Sequence, residues 1–106
     1  MNSQFKRGVL ELCLLHVLED QPMSTYDVLA LLSEKLDINE NTVYPLLRRL
    51  EQDALITHEK RYGEMGAPRK VYLLTEKGRR EKQEKHTAWS DFISRVQSVL
   101  GGHHDA

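Results

Sequence analysis

The chain has 106 residues, of which 29% are charged and 40% hydrophobic, with a formal net charge of −1 and one cysteine. This balance excludes a disordered chain, and no segment approaches the roughly 18 consecutive apolar residues of a membrane span. The length suits one domain with a modest core, which chains of this size commonly complete by dimerising. Cys13 has no internal disulfide partner. Its place in the run VLELCLLHVL suits a small buried hydrophobe better than a reactive thiol. The opening MNSQFKRG lacks the apolar region and cleavage site of a signal peptide, so a reducing cytoplasm is the expected location.

Charge is unevenly spread. Residues 1–38 hold three basic and six acidic groups, residues 39–85 eleven and eight, and residues 86–106 one and two. The middle of the chain is therefore electropositive although the whole is not.

Val9 to Leu18 is apolar at eight of ten positions. Such a run predicts a helix buried on most sides, with His16 at its boundary making an ordinary hydrogen bond. EDQPMS reads as a connection. Ser24 can cap a second helix, with Asp27 three residues later as a weak capping box. Tyr26, Val28, Leu29, Leu31, Leu32 and Leu36 supply its apolar face. LDINE closes the loop, and Asn39 can cap a third helix.

In the third helix Val43, Leu46, Leu47, Leu50 and Ala54 recur at steps of three and four, forming a core-facing stripe. The other side presents Asn41, Thr42, Tyr44, Pro45, Arg48, Arg49 and Gln52. Pro45 falls about a turn and a half into the helix, where it should cost one hydrogen bond and some strain. ALITHEKRY and RKVYLLT then change the period to that of strands, with GEMGAP between them as a multi-residue hairpin loop. Thr75 and Glu76 start a last helix. Arg79 to Ala88 has almost no apolar stripe, but Trp89, Phe92, Ile93, Val96, Val99 and Leu100 follow at spacings of three and four. No earlier element is left to cover that stripe, so a partner copy is the simplest solution. GGHHDA reads as a frayed tail, with two mobile histidines too few for a metal site.

Three helices followed by a hairpin is the order of a winged helix. The expected class is mainly α with a small β-hairpin: a winged helix-turn-helix over residues 1–74, a dimerisation helix over 75–100 and a disordered tail over 101–106. A helix fits the major groove of double-stranded DNA. Asn41 and Thr42 suit base edges, Tyr44 a phosphate, and Arg48 and Arg49 phosphates or a guanine edge. Lys60, Arg61, Arg69 and Lys70 surround the hairpin turn and suit the backbone or minor groove. Taken singly, adjacent arginines are usually a solvated face, and basic hairpin residues usually protect an edge. The joint reading rests on all of them falling on one face in one order. A winged-helix protein-interaction module is the alternative. An enzyme is not, since there is no paired carboxylate set, no nucleophile with a base, no phosphate loop and no metal-ligand spacing among the five histidines. No cofactor is implied.

LELCLLHVL, STYDVLALL, NTVYPLLRRLEQDALI and GAPRKVYLLTEKG together resemble the PadR family of transcriptional regulators, from about Gly8 to Gly78. The resemblance implies a homodimeric winged-helix repressor whose last helix crosses to the partner subunit. Thr25 stands where the family commonly has glycine, as does Ala54 after the recognition helix, and the loop between the second and third helices is short. The single C-terminal helix resembles the short-tailed branch. In one multidrug-responsive member of that branch a tryptophan on this helix lines a dimer-interface pore for flat aromatic ligands. Counting from LTEKG, Trp89 falls at the matching position, which implies an aromatic effector; dimer core is the plainer role for it.

Overall fold

The computed structural model describes residues 3–63 and 66–101. The tail expected over 101–106 lies outside them except for Gly101, whose backbone N–H caps the last helix on the Gln97 carbonyl. Four helices and three strands follow in the order α1 (Ser3–Asp20), β1 (Met23–Ser24), α2 (Thr25–Leu36), α3 (Glu40–Gln52), β2 (Ile56–Tyr62), β3 (Pro68–Leu74) and α4 (Glu76–Leu100).

The core is built by α1, α2 and α3. Leu10, Leu14, Leu15 and Leu18 of α1 meet Val28 and Leu32 of α2 and Val43, Leu46, Leu47 and Leu50 of α3, with Leu55, Ile56 and Tyr72 closing it from the sheet side. Apolar residues at steps of three and four occupy one helical face, and here that face is what the core consists of. Both caps read from the sequence form, and Thr75, read as the start of the last helix, caps it too. The Ser24 hydroxyl accepts from the Asp27 N–H, the Asn39 side chain from the Asn41 N–H, and the Thr75 hydroxyl from the Gly78 N–H.

Several expectations need correction. EDQPMS is more than a connection, because Met23 and Ser24 pair with Tyr72 and Val71. The β-hairpin is consequently part of a three-stranded antiparallel sheet in the order β1-β3-β2. A two-residue strand is too short to carry a periodic signal. In α2 only Val28 and Leu32 are buried; Tyr26 is 72% exposed and Leu36 is also at the surface. Ala54 does not extend the α3 stripe. It lies past the helix end, exposed, in the left-handed region at φ 62°. A glycine adopts that conformation without the Cβ clash that alanine suffers. His16 is exposed and meets the His86 ring edge-on, with centroids 5.7 Å apart.

The joint between α3, the sheet and α4 is tight. The Thr75 hydroxyl donates to the Ala54 and Leu55 carbonyls, at 2.7 and 3.0 Å, while its backbone N–H also donates to Leu55. A Cβ on Gly78 would lie 2.0 Å from the Leu55 carbonyl oxygen. Only glycine lets α4 start this close to the end of α3. The next turns of α4 look polar in sequence because they dock through charge. Glu19 of α1 takes Lys82 at 2.7 Å and Arg79 at 3.1 Å. Its hydrogen bond with Lys82 holds the Glu19 carboxyl below its ordinary value of 4.5, against an opposing desolvation effect and with help from Arg79.

Beyond that dock α4 projects. The radius of gyration is 16.2 Å and the longest dimension 60 Å, against the roughly 13 Å radius expected of a compact domain of this length.

Candidate nucleic-acid interface

α3 is a helix with two unlike sides. Val43, Leu46, Leu47 and Leu50 are at most 3% exposed. Asn41, Thr42, Tyr44, Pro45 and Arg48 are exposed on the opposite side. Because Asn39 serves as the cap, the side chains of Asn41 and Thr42 are not consumed by the helix start. Among the described residues neither they nor Tyr44 make a side-chain hydrogen bond, and Arg48 makes no ion pair. A row of polar side chains with unused donors, on a helix held rigidly from behind, can satisfy groups on a partner. Pro45 sits sixth in the thirteen-residue helix without breaking it.

Arg49 departs from the outward face on which the sequence reading placed it. It is half-buried and ion-paired with Glu11 of α1. The hundred-degree step between neighbouring helical residues turns Arg48 outward and Arg49 toward α1. Glu11 is the residue the sequence reading missed here, because nothing local links positions 38 apart.

The hairpin brings its four basic residues into two cross-strand pairs. Lys60 stands opposite Lys70, and Arg61 opposite Arg69. Successive strand residues point to opposite faces, so one pair lies on each face. Like charges placed directly opposite each other are destabilising, and an anion between them would relieve that cost. Two of the four have intramolecular partners besides. Arg61 pairs with Glu59 at 2.6 Å, and Arg69 donates to the Ser24 hydroxyl at 3.2 Å. The second contact ties the hairpin to the cap of α2. Lys70 also lies 5.2 Å from the centre of the Tyr72 ring. Among the described residues Lys60 and Lys70 make no ion pair.

Similarity to known proteins agrees with this geometry. A family model described as "Transcriptional regulator PadR-like family" matches residues 14–84. The chain belongs to the PadR-like family of transcriptional regulators. The transcriptional regulator Rv3488 of Mycobacterium tuberculosis is 32% identical over 104 residues, covering 93% of this chain and 90% of that protein. A PadR-like transcriptional regulator from Bacillus cereus superposes with a TM-score of 0.86 at 29% identity, over 95% of this chain and 100% of that one. A PadR-like transcription factor from Bacteroides fragilis gives 0.77 at 35% identity, over 92% and 96%. The PadR-like family and these relatives are transcriptional regulators rather than enzymes. Among the described residues no helix is long and apolar enough to cross a membrane.

The remaining expected site residues lie on the projecting part of α4. Phe92, Val99 and Leu100 are exposed, and Ile93 and Val96 are half-buried. Trp89, 38% exposed, faces back toward α1 and α2 across an apolar cleft of about 370 Å³ that Leu12, Cys13, His16, Leu36 and His86 also line. Burial pushes the Cys13 thiol up, away from the reactive thiolate.

Proposed function

We propose that this PadR-like protein is a cytoplasmic homodimer that represses transcription by sequence-specific binding of a double-stranded DNA operator. Residues 1–74 form its DNA-binding unit and residues 75–100 its dimerisation helix. The observation that carries the reading is the two-sided α3. A groove about 12 Å wide admits a helix, and one whose inner face is locked into a core presents its outer face at a fixed angle. Asn41 and Thr42 would meet base edges, Tyr44 and Arg48 a phosphate or guanine, and Pro45 would stiffen the end that enters. Lys60, Arg61, Arg69 and Lys70 would grip the neighbouring backbone. Arg49 acts chiefly by holding α3 on Glu11.

The apolar stripe of Phe92, Ile93, Val96, Val99 and Leu100, exposed at Phe92, Val99 and Leu100, together with Trp89 supports a second copy packing along α4. Such a dimer presents two α3 helices at a spacing set by how the α4 helices cross. A flat aromatic effector stacking on Trp89 would change that crossing and release DNA, because it binds one arrangement better than the other.

A mobility-shift assay on the DNA upstream of the protein's own gene tests the core of this. The wild type should give a complex that Arg48→Ala weakens by at least tenfold, about 1.4 kcal/mol. An unchanged complex removes the assignment of α3. Binding with a flat salt dependence would favour the protein-interaction module, since phosphate contacts release counterions.

A further inference from the structure

The start of α1 carries two cations that the acidic balance of residues 1–38 conceals. Folding places Lys6 and Arg7 beside Asn41, Thr42, Pro45 and Arg49, on the wall of a cleft of about 440 Å³ whose floor is Leu10 and Leu46. The charges in this cleft are not balanced. Arg49 is offset by Glu11. Arg7 precedes Glu11 by four residues, the spacing at which a helical ion pair forms. Glu11 turns to Arg49 instead, and Arg7 is left among the residues that line the cleft. Lys6 and Arg7 are exposed, and among the described residues neither makes an ion pair. The positive end of the α3 dipole adds to the same sign.

We infer that this cleft is a phosphate-binding subsite for the DNA backbone, with Lys6 and Arg7 as its anion ligands. The inference rests on the DNA-binding reading above and extends the interface to a helix that reading leaves out. Two features favour a backbone phosphate over an unrelated anion. Asn41, Thr42 and Pro45 belong both to the cleft wall and to the outward side of α3, so a duplex seated on α3 carries its backbone past the opening. A helix in a groove also has a phosphate strand on each flank, and the residues that clamp those strands fix its register. The N–H groups of Asn41 and Thr42 are already taken by Asn39, so the anion is held by side chains.

The test is the salt dependence of binding to a mixed-sequence duplex long enough for two half-sites. The Lys6→Ala, Arg7→Ala double variant changes only exposed side chains, and circular dichroism checks that it folds. Each lost phosphate contact lowers the magnitude of the log–log slope by roughly 0.9, so the slope should drop by roughly 1.8 per bound protomer. A control variant, Arg80→Ala with Arg95→Ala, removes the same charge from exposed sites on α4 and should leave the slope as it was. An unchanged slope in the Lys6, Arg7 variant, with Arg48→Ala still weakening binding, overturns the cleft alone. An equal drop in the control also overturns it, because net charge would then explain the effect. A flat wild-type slope together with a silent Arg48→Ala overturns the DNA-binding reading, and the cleft with it.

Discussion

α3 and the second half of α4 both space their apolar residues at three and four, yet the two stripes end in opposite surroundings. In α3 the stripe is at most 3% exposed. In α4 Val99 and Leu100 are 75% and 77% exposed. The pattern states that a face must be covered and leaves open by what. For α3 the cover comes from α1 and α2, whose Leu10, Leu14, Leu15, Leu18, Val28 and Leu32 share its core. For α4 the polar turns from Arg79 to Lys85 carry the helix past the core before its stripe begins. The stripe that is covered from within holds a helix still, and the stripe left open is available to a second copy.

Each stripe can be disrupted separately. Leu47→Ala should lower stability by about 2–5 kcal/mol, because α3 cannot collapse into the space without moving Arg48; chemical denaturation measures this. Phe92→Ser should instead act on association. The wild-type unfolding midpoint should rise with protein concentration. The variant should lose most of that rise, at about 1.5–3 kcal/mol for an apolar side chain no longer buried between copies. A wild-type midpoint independent of concentration would remove the partner from α4.

The joint between the two helices sharpens the contrast. Gly78→Ala should destabilise by about 1–3 kcal/mol, since the Leu55 carbonyl it would strike is backbone and cannot swing away. Ala54→Gly, at the left-handed residue beside it, should stabilise by about 0.5 kcal/mol, the relief of the Cβ clash less the added entropy of the unfolded chain. That amounts to a rise in Tm of about 2–4 °C. The smallest effect is on pH. Glu19 is held below 4.5 in the folded chain, so its bond to Lys82 stabilises above that pH and is lost as the pH falls through the depressed value. The stability difference between wild type and Glu19→Gln should therefore shrink on acidification below 4.5.

The helices and the outward side of α3 were legible because periodicity and capping are local. Val43, Leu46, Leu47 and Leu50 declare a face by spacing alone, and Ser24, Asn39 and Thr75 declare helix starts by side-chain type. What escaped was set by distant partners. Arg48 and Arg49 look equivalent side by side, but Glu11 claims one of them. Lys82 looks like a surface lysine and is buried on Glu19. Met23 and Ser24 become a strand only because β3 passes beside them. Lys6 and Arg7 belong to a third of the sequence that is net acidic, yet the fold sets them beside the start of α3.

Footprinting on the DNA upstream of the protein's own gene tests the central claim, a dimer presenting two α3 helices. Such a dimer should give two protected segments centred one helical turn apart, about 10–10.5 bp, or a multiple of that, both lost in Arg48→Ala. A single protected segment, or two that survive Arg48→Ala, would contradict it.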